Sequence, residues 1–325
     1  MKWLEQAWYG RFPWLIIFLP LEWLFCYLAG RRRLDFQQGK KPVWHAPVPL
    51  IVVGNISVGG AGKTPLVVRI VELLQQSGYK PGVVSRGYGG QADNYPCQVA
   101  IDSDPNQTGD EPLLIVQRCG CPLVVDPDRA RGCQHLLDNY HVDIIVSDDG
   151  LQHYRLHRDI EIAVVDGQRG LGNTHRLPVG PLREPPERLQ EVDFVITNGD
   201  GWHCPGSHRM SLRVAPLQML SGERVELPLG KINAVAGIGN PQRFYRTLAS
   251  LGYEVIPQPF ADHHCFKAED LVFENNFPVI MTEKDAVKCR AFAADNRYYL
   301  PINAELPKNF EHQLLSRLSE LLQCS

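Results

Sequence analysis

Eight consecutive residues, Ser57-Val58-Gly59-Gly60-Ala61-Gly62-Lys63-Thr64, carry the clearest chemistry in the chain. They fit the phosphate-loop pattern G-x-x-x-x-G-K-[ST] at Gly62, Lys63 and Thr64 and depart from it at the first position, where Ser57 stands for glycine. Glycines in such a loop let backbone N–H groups converge on an anion at a helix N-terminus. Lys63 adds a positive point charge, and Thr64 offers a hydroxyl to Mg2+. Pro65, early in the following helix, gives up a hydrogen bond that position would not make. A pair of carboxylates, Asp148 and Asp149, ends the apolar run "DIIVSDDG", as a metal-side carboxylate would. One of the two is expected to order Mg2+ or its waters, and spacing alone does not choose. These residues predict a site for a nucleoside triphosphate.

Such residues need a scaffold, and the flanking pattern supplies one. "LIVVGNI" before the loop is a continuous apolar run, as in a strand covered on both faces, and "TPLVVRIVELLQQSGY" after it has helical period. The runs "PGVVS", "PLVVDP", "DIIVSDD", "DIEIAVVDG" and "VDFVITNG" follow as strands, several separated by helical stretches. This alternation predicts an α/β fold, a phosphate-loop NTPase-like, doubly wound, mostly parallel sheet. A second, smaller α/β domain is read from Lys231 on. The expected organisation is an N-terminal anchor and basic connector over 1–41, a nucleotide-binding kinase domain over 42–200, a connector with a hairpin over 201–230 and a C-terminal domain over 231–325.

An alcohol that accepts phosphate must lose a proton, so a base is expected near the transferred group. Candidates cluster in loops after strands, where open α/β sheets bind ligands. They are Arg86 in "SRGYGG", Asp110 and Glu111 in "TGDEP", Arg129 and Arg131 in "DRARG", Gln152 and His153 in "DGLQH", Arg183 and Glu184 in "LREP", and Asp262, His263 and His264 in "ADHHCF". Each alone reads equally well as a solvated charge or a helix cap; Asp110 could simply cap the helix near Pro112.

The net charge of −3 provides no global field for nucleic acid. The nine cysteines are scattered and odd in number, which points to reduced thiols rather than a disulfide framework. The N-terminus is distinctive. An apolar run from Phe12 to Gly30, interrupted by Pro20 and Glu22, carries Trp14, Trp23 and Tyr27 and ends at Arg31–Arg33. Its length is near that needed to span a bilayer, and its aromatic and basic flanks suit an anchor against a cytoplasmic, anionic leaflet.

Seven segments in order resemble the tetraacyldisaccharide 4'-kinase family: "VGNISVGGAGKTP", "SRGYGG", "GDEP", "DDGLQH", "RLPVGPLREP", "FADHH" and "TEKDAVK". The resemblance covers nearly the whole chain, and the family's loop has a hydroxyl residue where Ser57 stands. It implies ATP- and Mg2+-dependent phosphorylation of the 4'-hydroxyl of a tetraacylated, 1-phosphorylated glucosamine disaccharide in lipid A biosynthesis. It also implies attachment to membrane phospholipids at the cytoplasmic face of the inner membrane. By the same resemblance Asp110 pairs with a histidine of the second domain, His263 or His264, as base. Glu111, Asp148 and Asp149 would manage Mg2+, and Arg86, Arg129 and Arg131 would bind phosphates or the acceptor. Two other readings start from the loop alone, a membrane-associated GTPase or ATPase switch and a non-catalytic nucleotide-binding adaptor. "ITNGD" at 196–200 lies where a guanine-reading motif could sit, but it lacks the lysine of that motif.

Overall fold

The computed structural model of the chain describes residues 2–10 and 13–324; Phe12, the first residue of the apolar run, lies outside them. The chain forms two compact units. Unit 1 comprises the chain up to Arg86, Cys121–Ser211 and the chain from Ala304 on, and unit 2 comprises Gly87–Gly120 and Leu212–Asn303. The segment Gly87–Gly120, expected in the nucleotide domain, therefore belongs with the later α/β unit. Asp110 and His263, expected in different domains, share one.

The apolar runs of unit 1 form strands β1 (Leu50–Gly54), β2 (Pro81–Ser85), β3 (Leu123–Val125), β4 (Ile144–Asp148), β5 (Ile160–Asp166) and β6 (Phe194–Asn198), and a polar stretch forms β7 (His208–Val214), whose residues up to Ser211 belong to the unit. Within the unit their order is β7-β6-β5-β1-β4-β2-β3, all parallel. The phosphate-loop strand β1 is central, with β4 on one side in register Val53↔Asp148 and β5 on the other in register Gly54↔Ala163. That register brings the C-terminal ends carrying the loop and the aspartates side by side. Every residue of β1, β2 and β4 is buried, the reason β1 reads as an unbroken apolar run and the others as apolar runs that turn polar only at their C-terminal ends. Strand β7 falls in the region read as a connector and extends the parallel sheet; a short hairpin also lies there, with Met219 N donating to Glu223 O, Val225 N donating to Leu217 O and Gln218 bridging Arg224 in antiparallel fashion.

The N-terminal apolar segment is a 3-10 turn, Pro13–Phe18, followed by the α-helix Leu19–Gln37. Pro20 sits in its first turn, where a missing N–H costs nothing, and the helix continues through Arg31–Arg33. Ile17, Trp23, Tyr27 and Leu28 are all more than half exposed. Glu22, the acidic residue that interrupts the run, is buried: it accepts from Arg176 N at 2.7 Å and lies 2.9 Å from His175 Nδ1. Its charge faces protein while Ile17, Trp23, Tyr27 and Leu28 face outward.

Unit 2 has its own sheet of strands β8 (Gln218–Met219), β9 (Lys231–Ala236), β10 (Glu254–Pro259), β11 (Val279–Thr282) and β12 (Arg297–Leu300), in the order β10-β9-β11-β12-β8, parallel except for β8. Ile232, Phe244, Leu248, Ile280 and Leu300 pack one face; Val235, Phe266, Leu271, Met281 and Tyr299 pack the other.

Candidate active-site elements

Strand β1 leads into the glycine turn, and helix Lys63–Gln76 leaves it. Gly59 and Gly62 have φ of 104° and 92°, left-handed values that glycine adopts without strain. Ser57 is absent from the left-handed residues, so the first position does not need glycine. It is buried, bridges Leu182 in antiparallel fashion, and is followed by Val58, whose N donates to Pro181 O at 2.8 Å. Lys63, at the helix start, places Nζ 3.2 Å from Asn55 Oδ1 and 3.4 Å from Asp149 Oδ1.

Asp148 is buried at the end of β4 and accepts from Ser85 Oγ at 3.1 Å. Asp149 follows in the left-handed region, φ 51°, which turns its carboxylate to Lys63 and to Arg183 Nη1 at 3.5 Å. Burial would raise the pKa of Asp149, but Lys63 and Arg183 outweigh it and hold the carboxyl below the usual range. A lysine held at neutral and acidic oxygens beside open-backbone glycines fits a triphosphate. Thr64, Asp148 and Asp149 are hard oxygen donors that fit Mg2+. Among the described residues no group of three or more His, Cys, Asp or Glu forms a metal cage. That is consistent with a metal ligated mainly by phosphate oxygens and water.

Several expected ligand-binding residues brace the site instead. Arg129, 2% exposed, donates from Nη1 to Asp126 O at 2.8 Å and from Nη2 to Asp148 O at 2.9 Å, tying the ends of β3 and β4. Burial drops its pKa to about 10. Both arms lie against backbone carbonyls, which ties Arg129 to the residue that ends β4. Arg131 is committed to Asp126 by two bonds of 2.7 and 2.9 Å. Glu184 is buried and accepts from Gln152 Nε2 at 2.6 Å, Tyr154 Oη at 2.8 Å and Arg188 Nε at 3.2 Å, so Gln152 and Glu184 buttress the loop that carries Arg183. His153 is pushed down to about 4 by burial and then by Arg129 and Arg86, and is a neutral imidazole at physiological pH. Arg86 is exposed after β2.

In unit 2, Asp110 opens helix Asp110–Cys119 after Gly109, whose φ of 86° and 2.9 Å clearance from Tyr88 O at a notional Cβ require glycine. The carboxylate is 4% exposed, and His263 Nδ1 lies 3.2 Å from its Oδ2. His264 instead contacts Asp270 at 3.0 Å, so geometry selects His263 as the partner of Asp110. Tyr88 packs edge-on against the His263 ring, centroids 5.4 Å apart. Lys284 and Lys288 lie 3.8 and 3.9 Å from Asp110 Oδ2. Burial alone would raise the Asp110 pKa; His263, Lys284 and Lys288 overcome that and lower it. The Asp110 carboxylate correspondingly raises His263 above its usual value. Glu111, expected near Mg2+, is held by Lys284 Nζ at 3.0 Å within unit 2.

These shifts fix a pH window. A raised histidine stabilises the fold below its unfolded value of about 6.5, and this contribution is lost as pH rises through the folded value. The lowered Asp110 contributes above about 3.9 and is lost as pH falls through its folded value. His263→Gln should therefore destabilise most between about pH 4 and 6.5, with the difference from wild type shrinking toward pH 9. Chemical denaturation across pH checks this, and a pH-independent difference contradicts it.

Residues without an assigned role in the sequence emerge here. Lys284 and Lys288 are four apart in "TEKDAVK", a spacing that puts both on one helix face. Asn55, Arg169 and Asn198 contact the phosphate loop across 4, 109 and 137 residues, and for the last two no local pattern signals it.

A parallel sheet with a phosphate loop on its central strand and paired aspartates on the next defines a nucleotide-binding α/β protein built for phosphoryl chemistry. The model of the tetraacyldisaccharide-1-P 4'-kinase family matches residues 14–319. By that match and by relatives near half identity along its length, the chain belongs to this family. It is 49% identical to a tetraacyldisaccharide 4'-kinase of Azotobacter vinelandii, over 99% of this chain and 98% of that one. It is 50% identical to that of Tolumonas auensis, over 98% of each. A crystal structure of LpxK from Aquifex aeolicus in complex with ATP superposes with a TM-score of 0.81 at 25% identity, covering 94% of this chain and 99% of that one.

Proposed function

We propose that the chain transfers the γ-phosphoryl group of ATP, with Mg2+, to the 4'-hydroxyl of a tetraacyl glucosamine disaccharide 1-phosphate in lipid A biosynthesis. The observation that carries this is Lys63, seated at Asn55 and Asp149 on the phosphate loop of a chain belonging to this kinase family. Mg2+ bound with ATP neutralises phosphate charge. Thr64 and the aspartates at the end of β4 would hold the metal, and Lys63 steadies the charge that develops on the transferred group. Asp110 takes the proton of the sugar hydroxyl, and His263 orients Asp110 and shares its charge. A switch protein would need no such buried Asp–His pair, and Asn198, the residue available for reading guanine, is spent on the loop carbonyl of Ala61.

The test is incubation of purified enzyme with labelled ATP, Mg2+ and the micelle-dispersed acceptor, followed by product analysis. Labelled bisphosphorylated glycolipid is expected, and its absence rejects the reading.

The acceptor's four acyl chains keep it in a bilayer, so the enzyme must work at a membrane surface. The helix Leu19–Gln37 and the turn before it are long and apolar enough to enter one. We assign this segment as the anchor to phospholipids on the cytoplasmic face of the inner membrane, with Trp23 and Tyr27 at the headgroup level. Removing residues 1–30 would also delete Glu22 and its contacts, so point changes test the anchor better. Trp23→Glu with Leu28→Glu, at side chains 69% and 57% exposed, should cut partition into anionic vesicles by about tenfold or more and leave the melting temperature unchanged. Undiminished flotation with vesicles would move the anchor elsewhere.

A further inference from the structure

Three consecutive carbonyls of the phosphate loop each accept a hydrogen bond from a side chain outside it. Asn55 Nδ2 donates to Gly59 O at 3.3 Å, Arg169 Nη2 donates to Gly60 O, and Asn198 Nδ2 donates to Ala61 O at 3.0 Å. A trans peptide holds its C=O and N–H on opposite sides. Pulling these three oxygens toward the protein turns the next three amides, those of Gly60, Ala61 and Gly62, the other way. Among the described residues none of those amides donates to a backbone carbonyl. Three aligned and unspent donors are what a phosphate group requires.

The two distant side chains are themselves fixed. Arg169 is held by Asp166, whose Oδ2 accepts from Arg169 Nε at 3.2 Å and whose Oδ1 accepts from Arg169 N at 3.0 Å. A notional Cβ on Gly59 would lie 2.9 Å from Arg169 Nη1. Asn198 is 4% exposed at the end of β6, in register with Asp166 at the end of β5. A Cβ on Gly62 would overlap the Asn198 amide, so the glycine is needed for this close approach as well as for its φ.

We infer that Arg169 and Asn198 are positioning residues that pre-set the loop's amides for the phosphates of the donor nucleotide. They act through the carbonyls of Gly60 and Ala61 and from strand ends beyond the loop's own sequence. This rests on the reading of the loop as the ATP site. It assigns "ITNGD" to the shape of the loop and not to recognition of a base.

The test uses the full-length enzyme in detergent. Calorimetric titration with Mg2+ and the non-hydrolysable analogue AMP-PNP is set beside steady-state kinetics for Arg169→Met, Arg169→Lys and Asn198→Leu. Arg169→Met and Asn198→Leu should each weaken AMP-PNP binding by about tenfold and raise the KM for ATP to match, since each removes a hydrogen bond that holds a preorganised site. The KM for the lipid acceptor should stay within about twofold, and Arg169→Lys, which keeps a donor, should recover most of the loss. Unchanged analogue affinity in Arg169→Met, an equal rise in the acceptor KM, or lysine performing no better than methionine overturns the inference. Arg169 is partly exposed and its variants should fold, so they decide the matter if Asn198→Leu does not. Failure of wild-type enzyme to bind AMP-PNP would instead reject the underlying ATP site.

Discussion

Lys63→Ala should lower phosphoryl transfer by about 10³-fold, equivalent to about 4 kcal/mol of transition-state stabilisation. Lys63 supplies the positive side chain within the glycine turn, and Asn55 and Asp149 hold its ammonium in place. A preorganised charge of this kind acts where the phosphate oxygens gather charge and needs no rearrangement during the reaction. Its loss also strips Asp149 of the foremost of the cations that keep its carboxyl low, leaving Arg183 at 3.5 Å and, with a smaller influence, Arg129. Lys63→Arg should restore little, because a planar fork does not replace a compact ammonium between two oxygens. Single-turnover assays at saturating ATP check both variants, and near-normal rates for Lys63→Ala would take the loop out of the mechanism.

The parts of this enzyme that could be read from sequence are those whose physics is local. A phosphate loop is eight contiguous residues. Buried parallel strands are mostly apolar, so β1, β2, β4, β5 and β6 stand out without any tertiary information. Ser57, which breaks the general pattern, keeps an ordinary backbone and so had no reason to be glycine. The parts that could not be read depend on long-range pairing. Nothing near Gly87–Gly120 signals that it packs with the later unit, where Gly90 is pressed against the backbone of Gln107–Gly109. Arg129 looks like any exposed helix charge until its guanidinium is found enclosed by carbonyls. His263 and His264 are neighbours in sequence, and backbone conformation separates them. His263 takes a left-handed φ of 59°, which sends one ring to Asp110 and leaves the other to Asp270.

Asp110→Asn should reduce kcat by about 10²- to 10⁴-fold while the affinity for ATP changes little. The substitution keeps size and removes the basic lone pair, so the loss reports on proton transfer rather than packing. All the charged partners found for Asp110, namely His263, Lys284 and Lys288, are in unit 2, and none belongs to the phosphate loop. Those cations keep Asp110 ionised despite its burial, the state a general base requires. They also stabilise the charge it must give up, which makes it a weaker base than an isolated buried carboxylate. The dyad resolves this conflict if His263 accepts part of the proton's charge as the hydroxyl attacks. His263→Ala should then cost less than Asp110→Asn but clearly more than His264→Ala, whose ring serves Asp270. Rates measured for the three variants at saturating ATP and acceptor decide it. An Asp110→Asn enzyme with unchanged kcat would reject Asp110 as the base, and equal losses for the two histidine variants would reject the pairing of Asp110 with His263.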